Sequence, residues 1–281
     1  MNMECTGRYV AVSDMRLYYL EWGDPGAPVM VLLHGIGDNA HIWDEFAVSF
    51  RSAWRIIALD QRGHGLSDWA VPPAYGCNEY VHDLEEVIRI LDLRHFVLVG
   101  HSMGALHATA YAGRHAGTVA GLVHADIEPR PPEWNKKYLR GLYRTLPEYY
   151  SMPEEYVVWM KENSPYADES YLSRYASRAL MRGNGGTLRC QYDREVLYHF
   201  DRYDLTCILE NISCPTLVVR GAESRVMSRA AAVTMTESIL HASLVEIPRA
   251  THPVHTDNPH GFREAVRTFL RQHGLHGREM P

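Results

Sequence analysis

The chain has 281 residues, a formal net charge of −6 and 46% hydrophobic residues. That length can bury a large core, and the mild acidity argues against a nucleic-acid partner, which would need a basic face. The longest apolar runs, such as Val29–Leu33, are far too short to cross a bilayer, so no membrane partner is expected. The opening stretch MNMECTGRYV lacks a basic segment followed by an apolar one and does not read as a signal peptide. Cys5, Cys77, Cys190, Cys207 and Cys214 are scattered without C-x-x-C spacing, which reads as free thiols in a reducing, cytoplasmic setting.

In chain order, Tyr9–Val12 and Met15–Trp22 read as a hairpin. Val29–Leu33 and Arg55–Leu59 are short apolar runs suited to strands buried on both faces, with helical character at 41–50 between them. Asn78–Leu91 places Val81, Leu84, Val87, Ile88 and Leu91 at a helical period. Phe96–Val99 reads as strand, Ala105–Arg114 as helix and Val119–His124 as strand. This alternation implies a mostly parallel sheet flanked by helices. The character changes after Asp126, where three prolines open a stretch rich in Tyr, Arg and Glu without a buried strand run. Strand character returns at Pro215–Arg220 and Leu244–Ile247, with helices at Ser228–Leu240 and Pro259–Arg271. The organisation expected is one α/β core, residues 1–127 and 207–281, interrupted by a helical cap at 128–206.

The chemistry concentrates at Gly100-x-Ser102-x-Gly104, between a strand and a helix. A serine on such a turn has a strained backbone, and neighbours without Cβ let the turn close. The hydroxyl is lifted above the sheet edge at a helix N-terminus, whose partial positive charge favours developing anions. His34-Gly35-Ile36 ends the Val29–Leu33 strand, and ligands of open α/β sheets sit outside such strand ends. The backbone N–H groups of Ile36 and Met103 are therefore candidates for an oxyanion hole. The segment LDQRGHGLSD, Leu59–Asp68, reads as a structural turn network. His273 and His276 in the tail form no metal pattern, and neither a metal nor a cofactor is expected.

With HG-x-G at 34–37, D-Q-R-G-H-G-x-S at 60–67, G-H-S-M-G at 100–104 and a late His followed by Pro, the sequence resembles the α/β-hydrolase superfamily. The likeness covers nearly everything outside the cap. Within that superfamily the core is similar to esterases, enol-lactone hydrolases and 2-(acetamidomethylene)succinate hydrolase. The resemblance implies the α/β-hydrolase fold, a mostly parallel sheet flanked by helices with an inserted helical cap, and a triad in the chain order Ser, acid, His.

Ser102 is then the nucleophile and His252, at the family position, the base; His255 is three residues on. His34 and His101 are assigned packing or hydrogen-bonding roles. The acid departs from the common pattern, because the usual position three residues after Gly221 holds Ser224. A family variant takes the acid from the end of the preceding strand, where this chain has Asp126; Glu223 and Glu128 are the alternatives. The reading that follows is a serine hydrolase cleaving a small carboxylic ester or lactone through an acyl-enzyme. The same triad also supports C–C, amide or perhydrolase chemistry, and some non-catalytic receptors share the fold. A serine nucleophile argues against haloalkane dehalogenase and epoxide hydrolase chemistry, which use Asp in this family. Tyrosines of the insertion, from Tyr138 to Tyr203, pack mostly as core, some lining a pocket for an aromatic or mixed-polarity substrate, while Arg130 and Arg189 are candidate carboxylate binders.

Overall fold

The apolar runs fold into the centre of a sheet. In the computed structural model the strands are β1 (Thr6–Val12), β2 (Met15–Trp22), β3 (Val29–Leu33), β4 (Arg55–Leu59), β5 (Phe96–His101) and β6 (Val119–Ala125), then β7 (Leu180–Arg182), β8 (Leu188–Cys190), β9 (Thr216–Gly221) and β10 (Ala242–Ile247). The structure describes residues 5–199 and 203–278. Residues 1–4, on which the leader reading partly rests, and 200–202 of the expected cap lie outside the described residues.

Eight strands form one sheet in the order β1-β2-β4-β3-β5-β6-β9-β10. The β1–β2 and β2–β4 pairs are antiparallel and the rest are parallel. Residues of β5 and β6 are buried without exception, as strands covered on both faces must be. Side chains alternate between two cores: Val97 and Val99 face one, Phe96 and Leu98 the other.

Helices α1 (Asp44–Phe50), α2 (Cys77–Ile90) and α3 (Met103–Arg114) flank the first half of the sheet. Helix α2 buries Tyr80, Val81, Leu84, Val87 and Ile88 on one stripe, the period that the sequence displays. Helices α4 (Glu133–Arg144), α5 (Pro153–Asn163), α6 (Glu169–Ala179) and α7 (Val196–His199) lie between β6 and β9. Helices α8 (Arg229–Ser238), α9 (Val254–Asp257) and α10 (Pro259–Gln272) complete the chain. One of the two cores runs on from the sheet into Tyr143, Tyr156 and Leu172, so α4–α6 close over that core without a separate one.

The insertion is not wholly helical, which corrects the sequence reading. Strands β7 and β8 pair antiparallel across the Asn184–Gly186 turn. Each has three residues, too few for an alternating pattern to register in the sequence. Among the described residues no helix is long and apolar enough to cross a membrane.

Candidate active site

Strand β5 ends at His101 and α3 begins at Met103, which leaves Ser102 alone on the turn. Its backbone, φ 52° and ψ −122°, lies outside the regions that L-residues favour. The flanking glycines make that turn possible. A Cβ on Gly100 would stand 2.4 Å from the Gly104 carbonyl oxygen, and one on Gly104 would stand 2.5 Å from that of Leu33. Both obstacles are backbone and cannot step aside. The Ser102 N–H donates to the Ala125 carbonyl at 2.9 Å, which ties the turn to the end of β6.

Directly after that rung comes Asp126, fully buried and at φ 56°. Its Oδ1 accepts the Gly221 N–H at 2.9 Å, and its Oδ2 accepts the Ser224 hydroxyl at 2.5 Å and the His252 Nδ1–H at 2.9 Å. With Nδ1 protonated by this contact, His252 Nε2 is left bare, 2.9 Å from Ser102 Oγ and placed to accept its proton. His101 Nε2–H donates to the His252 carbonyl at 3.0 Å and so holds the loop after β10 against the Ser102 turn.

The structure therefore brings Ser102, His252 and Asp126 into one hydrogen-bonded line. It does not bring the other candidates there. Glu223 is exposed and accepts the Tyr166 hydroxyl at 2.6 Å, and Glu128 accepts from the backbone and hydroxyl of Ser228. Ser224, at the usual acid position, donates its hydroxyl to Asp126. His255 stacks on Trp43 with ring centroids 4.6 Å apart; neither of its nitrogens has a partner among the described residues, and burial pushes its pKa down to about 3.

Ile36 and Met103 line the space beside Ser102, and neither N–H meets an acceptor among the described residues. The turn carrying Ile36 is clamped from two sides. His34 donates Nδ1–H to the Gly35 carbonyl at 2.8 Å and accepts the Gln61 N–H on Nε2 at 3.0 Å, while burial holds its pKa well below the usual value. From α4, the Tyr143 hydroxyl donates to the Ile36 carbonyl at 2.6 Å. The LDQRGHGLSD segment behaves as a turn network: Asp60 accepts the N–H groups of Ala40 and Leu66, Arg62 pairs with Asp83 at 2.6 Å, and none of these residues lines the cavity at Ser102.

That cavity holds about 450 Å³ between the sheet edge and the insertion. Gly35, Ser102 and His252 line it from the core, and Tyr138, Tyr143, Tyr156, Trp159 and Tyr175 from α4–α6. The size suits a small organic molecule. Arg130 pairs with Asp204 and Arg189 lies over Trp69; neither lines the cavity, so they are not placed to hold a substrate carboxylate there.

One lining residue escaped the sequence reading. Asp38 faces the cavity two residues beyond Ile36, and its Oδ1 accepts the Tyr175 hydroxyl at 3.1 Å. Burial pushes its carboxyl up to about 7. The signal available was a carboxyl inside the turn that carries the oxyanion-hole candidate.

Comparison with known proteins gives a consistent picture. A family model described as the alpha/beta hydrolase fold matches residues 28–259. The chain is 28% identical over 266 residues to 2-(acetamidomethylene)succinate hydrolase of Mesorhizobium japonicum, covering 94% of each. It is 24% identical over 290 residues to epoxide hydrolase 1 of Caenorhabditis elegans, covering 95% of this chain and 70% of that one. The crystal structure of E-2-(acetamidomethylene)succinate hydrolase superposes with a TM-score of 0.87 at 24% identity, covering 95% of this chain and all of the other.

Proposed function

Since the chain belongs to the α/β-hydrolase fold family, we propose that this hydrolase cleaves a small carboxylic ester or lactone through an acyl-enzyme on Ser102. The observation that carries the reading is the line Ser102 Oγ, His252 Nε2, His252 Nδ1, Asp126 Oδ2, with both contacts at 2.9 Å. In the reaction Ser102 Oγ attacks the carbonyl carbon while its proton passes to His252 Nε2. Asp126 holds the imidazole tautomer and stabilises the imidazolium that forms. The N–H groups of Ile36 and Met103 receive the developing oxyanion, each such donor worth roughly 3 kcal/mol. Protonated His252 then releases the leaving group, and a water activated by His252 hydrolyses the ester on Ser102.

The segment 128–206 serves as the cap, and its tyrosines shape the space where the acyl or alcohol part sits. A serine at the nucleophile position supports ester chemistry over the epoxide opening named for one relative.

The test is labelling with a fluorophosphonate probe, followed by a panel of p-nitrophenyl esters and lactones. Ser102 is the residue expected to be labelled, and Ser102→Ala should lose both labelling and turnover. Labelling or turnover that survives Ser102→Ala refutes the proposal.

A further inference from the structure

The wall beside the nucleophile carries a carboxyl without a cationic partner. Asp38 follows the turn that carries Ile36. A Cβ on Gly35 would lie 3.1 Å from Asp38 Oδ2 and 3.3 Å from Ser102 Cβ, so the carboxyl and the nucleophile flank the same small residue. Tyr175 of α6 donates its hydroxyl to Asp38, and Tyr143 of α4, Tyr156 of α5 and His252 line the same cavity. No Lys or Arg forms an ion pair with Asp38 among the described residues.

The rest of the lining has the same sign. Arg225 is the one Lys or Arg among the described residues that line the cavity, against Asp38, Glu162 and Glu223. Aromatic side chains line the same cavity. Tyr143 and Trp159 have centroids 5.9 Å apart, and Tyr156 stacks on Trp159 at 5.7 Å and 9°. A cation at an aromatic face is attracted by the ring quadrupole, the more so when desolvated. Burial pushes the Asp38 carboxyl up to about 7, a bound cation favours its ionised form, and the anion so formed repels a second negative charge.

We propose that the site selects esters or lactones bearing an ammonium group, with the cation held between the Asp38 carboxylate and the aromatic wall of Tyr143, Tyr156 and Trp159. The inference rests on Ser102 being the nucleophile. Asp38 is a specificity-determining residue in this scheme. It touches the substrate away from the reacting bond and takes no part in proton transfer.

The experiment uses three p-nitrophenyl esters of matched size whose acyl chains end in trimethylammonium, tert-butyl or carboxylate. The same three tails are placed on the alcohol side of thioacetates. Wild type should favour the trimethylammonium member of at least one set over tert-butyl by about tenfold or more in kcat/KM, with the carboxylate member poorest. In Asp38→Asn the ratio should fall to about one. The ratio cancels any loss common to all substrates, and the wild-type preference needs no variant. As a readout independent of turnover, choline should protect Ser102 from the fluorophosphonate probe at lower concentration than its neutral isostere, neohexyl alcohol. Ser102 labelled without such a preference, or a preference unchanged in Asp38→Asn, overturns the inference and leaves the proposed hydrolase standing. A chain whose Ser102 is never labelled fails the earlier proposal instead.

Discussion

Replacing Asp126 by Asn changes one atom of the side chain and should nearly abolish turnover. The size of the effect follows from how the carboxylate is held. Oδ1 accepts the Gly221 N–H at 2.9 Å, a contact that only an oxygen can make, so the Asn amide is fixed with its carbonyl on that side. Its NH2 then occupies the Oδ2 position, 2.9 Å from His252 Nδ1. An N–H there must donate to Nδ1, which moves the ring proton to Nε2, the atom 2.9 Å from Ser102 Oγ. A protonated Nε2 cannot accept the serine proton. The second amide hydrogen faces Ser224 Oγ, which already accepts the Val226 and Met227 N–H groups, so Ser224 must turn locally and the fold is checked alongside activity. Trapping the wrong tautomer in this way costs up to roughly 10⁴ in kcat, about 5.5 kcal/mol of transition-state stabilisation. The assay is steady-state hydrolysis of a p-nitrophenyl ester beside the Glu223→Gln variant, with circular dichroism on both proteins. If Asp126→Asn stays within tenfold of wild type, or if Glu223→Gln is the near-dead enzyme, the tautomer argument is wrong.

Other outcomes follow from contacts described above. Gly104→Ala should give no soluble folded protein, because the new Cβ meets the Leu33 and His34 carbonyl oxygens at 2.5 and 2.6 Å; a folded variant labelled at the wild-type rate contradicts this. Tyr143→Phe removes the tie to the Ile36 carbonyl, and with a hydrogen bond worth about 1 kcal/mol kcat should drop roughly fivefold with little change in KM. His255 stays neutral in the folded chain down to about pH 3, whereas the unfolded chain protonates it near 6.5, so its neutrality lowers stability progressively as pH falls through that window. Between pH 7 and 5 this amounts to about 2 kcal/mol, and thermal melts should show a smaller acid loss for His255→Phe than for wild type. His252→Ala should cost several orders of magnitude in kcat while His255→Ala leaves the chemistry in place; the reverse order would reassign the base.

What the sequence reveals and conceals divides on physical lines. The buried strands and the elbow are legible because local rules force them: a strand covered on both faces must be apolar throughout, and a turn whose neighbours are backbone must use glycine. Asp126 is legible as a strand-end carboxylate, yet its role depends on Ser224 and Gly221, about a hundred residues away in the chain. The insertion is harder to read. Its two strands are three residues long, and the Tyr143–Ile36 contact joins positions that no periodicity links. Asp38 is hard to read because a carboxyl in a glycine-rich turn is common at surfaces, and only the folded insertion encloses it.

Ser102 and Asp126 leave neighbouring strands one residue after the paired His101 and Ala125, and the Ser102 N–H closes onto the Ala125 carbonyl. The proposed nucleophile and acid are thus spaced by a ladder rung that belongs to the sheet. The loop after β9, including Ala222–Met227, is relieved of carrying a reacting charge. It keeps two tasks that a change of sequence can satisfy in many ways: offering Ser224 to the acid, and meeting the insertion through Glu223 and Tyr166. This rim can therefore drift, lengthen or be exchanged together with the insertion to suit new molecules, while the spacing that sets the chemistry is inherited from the sheet unchanged.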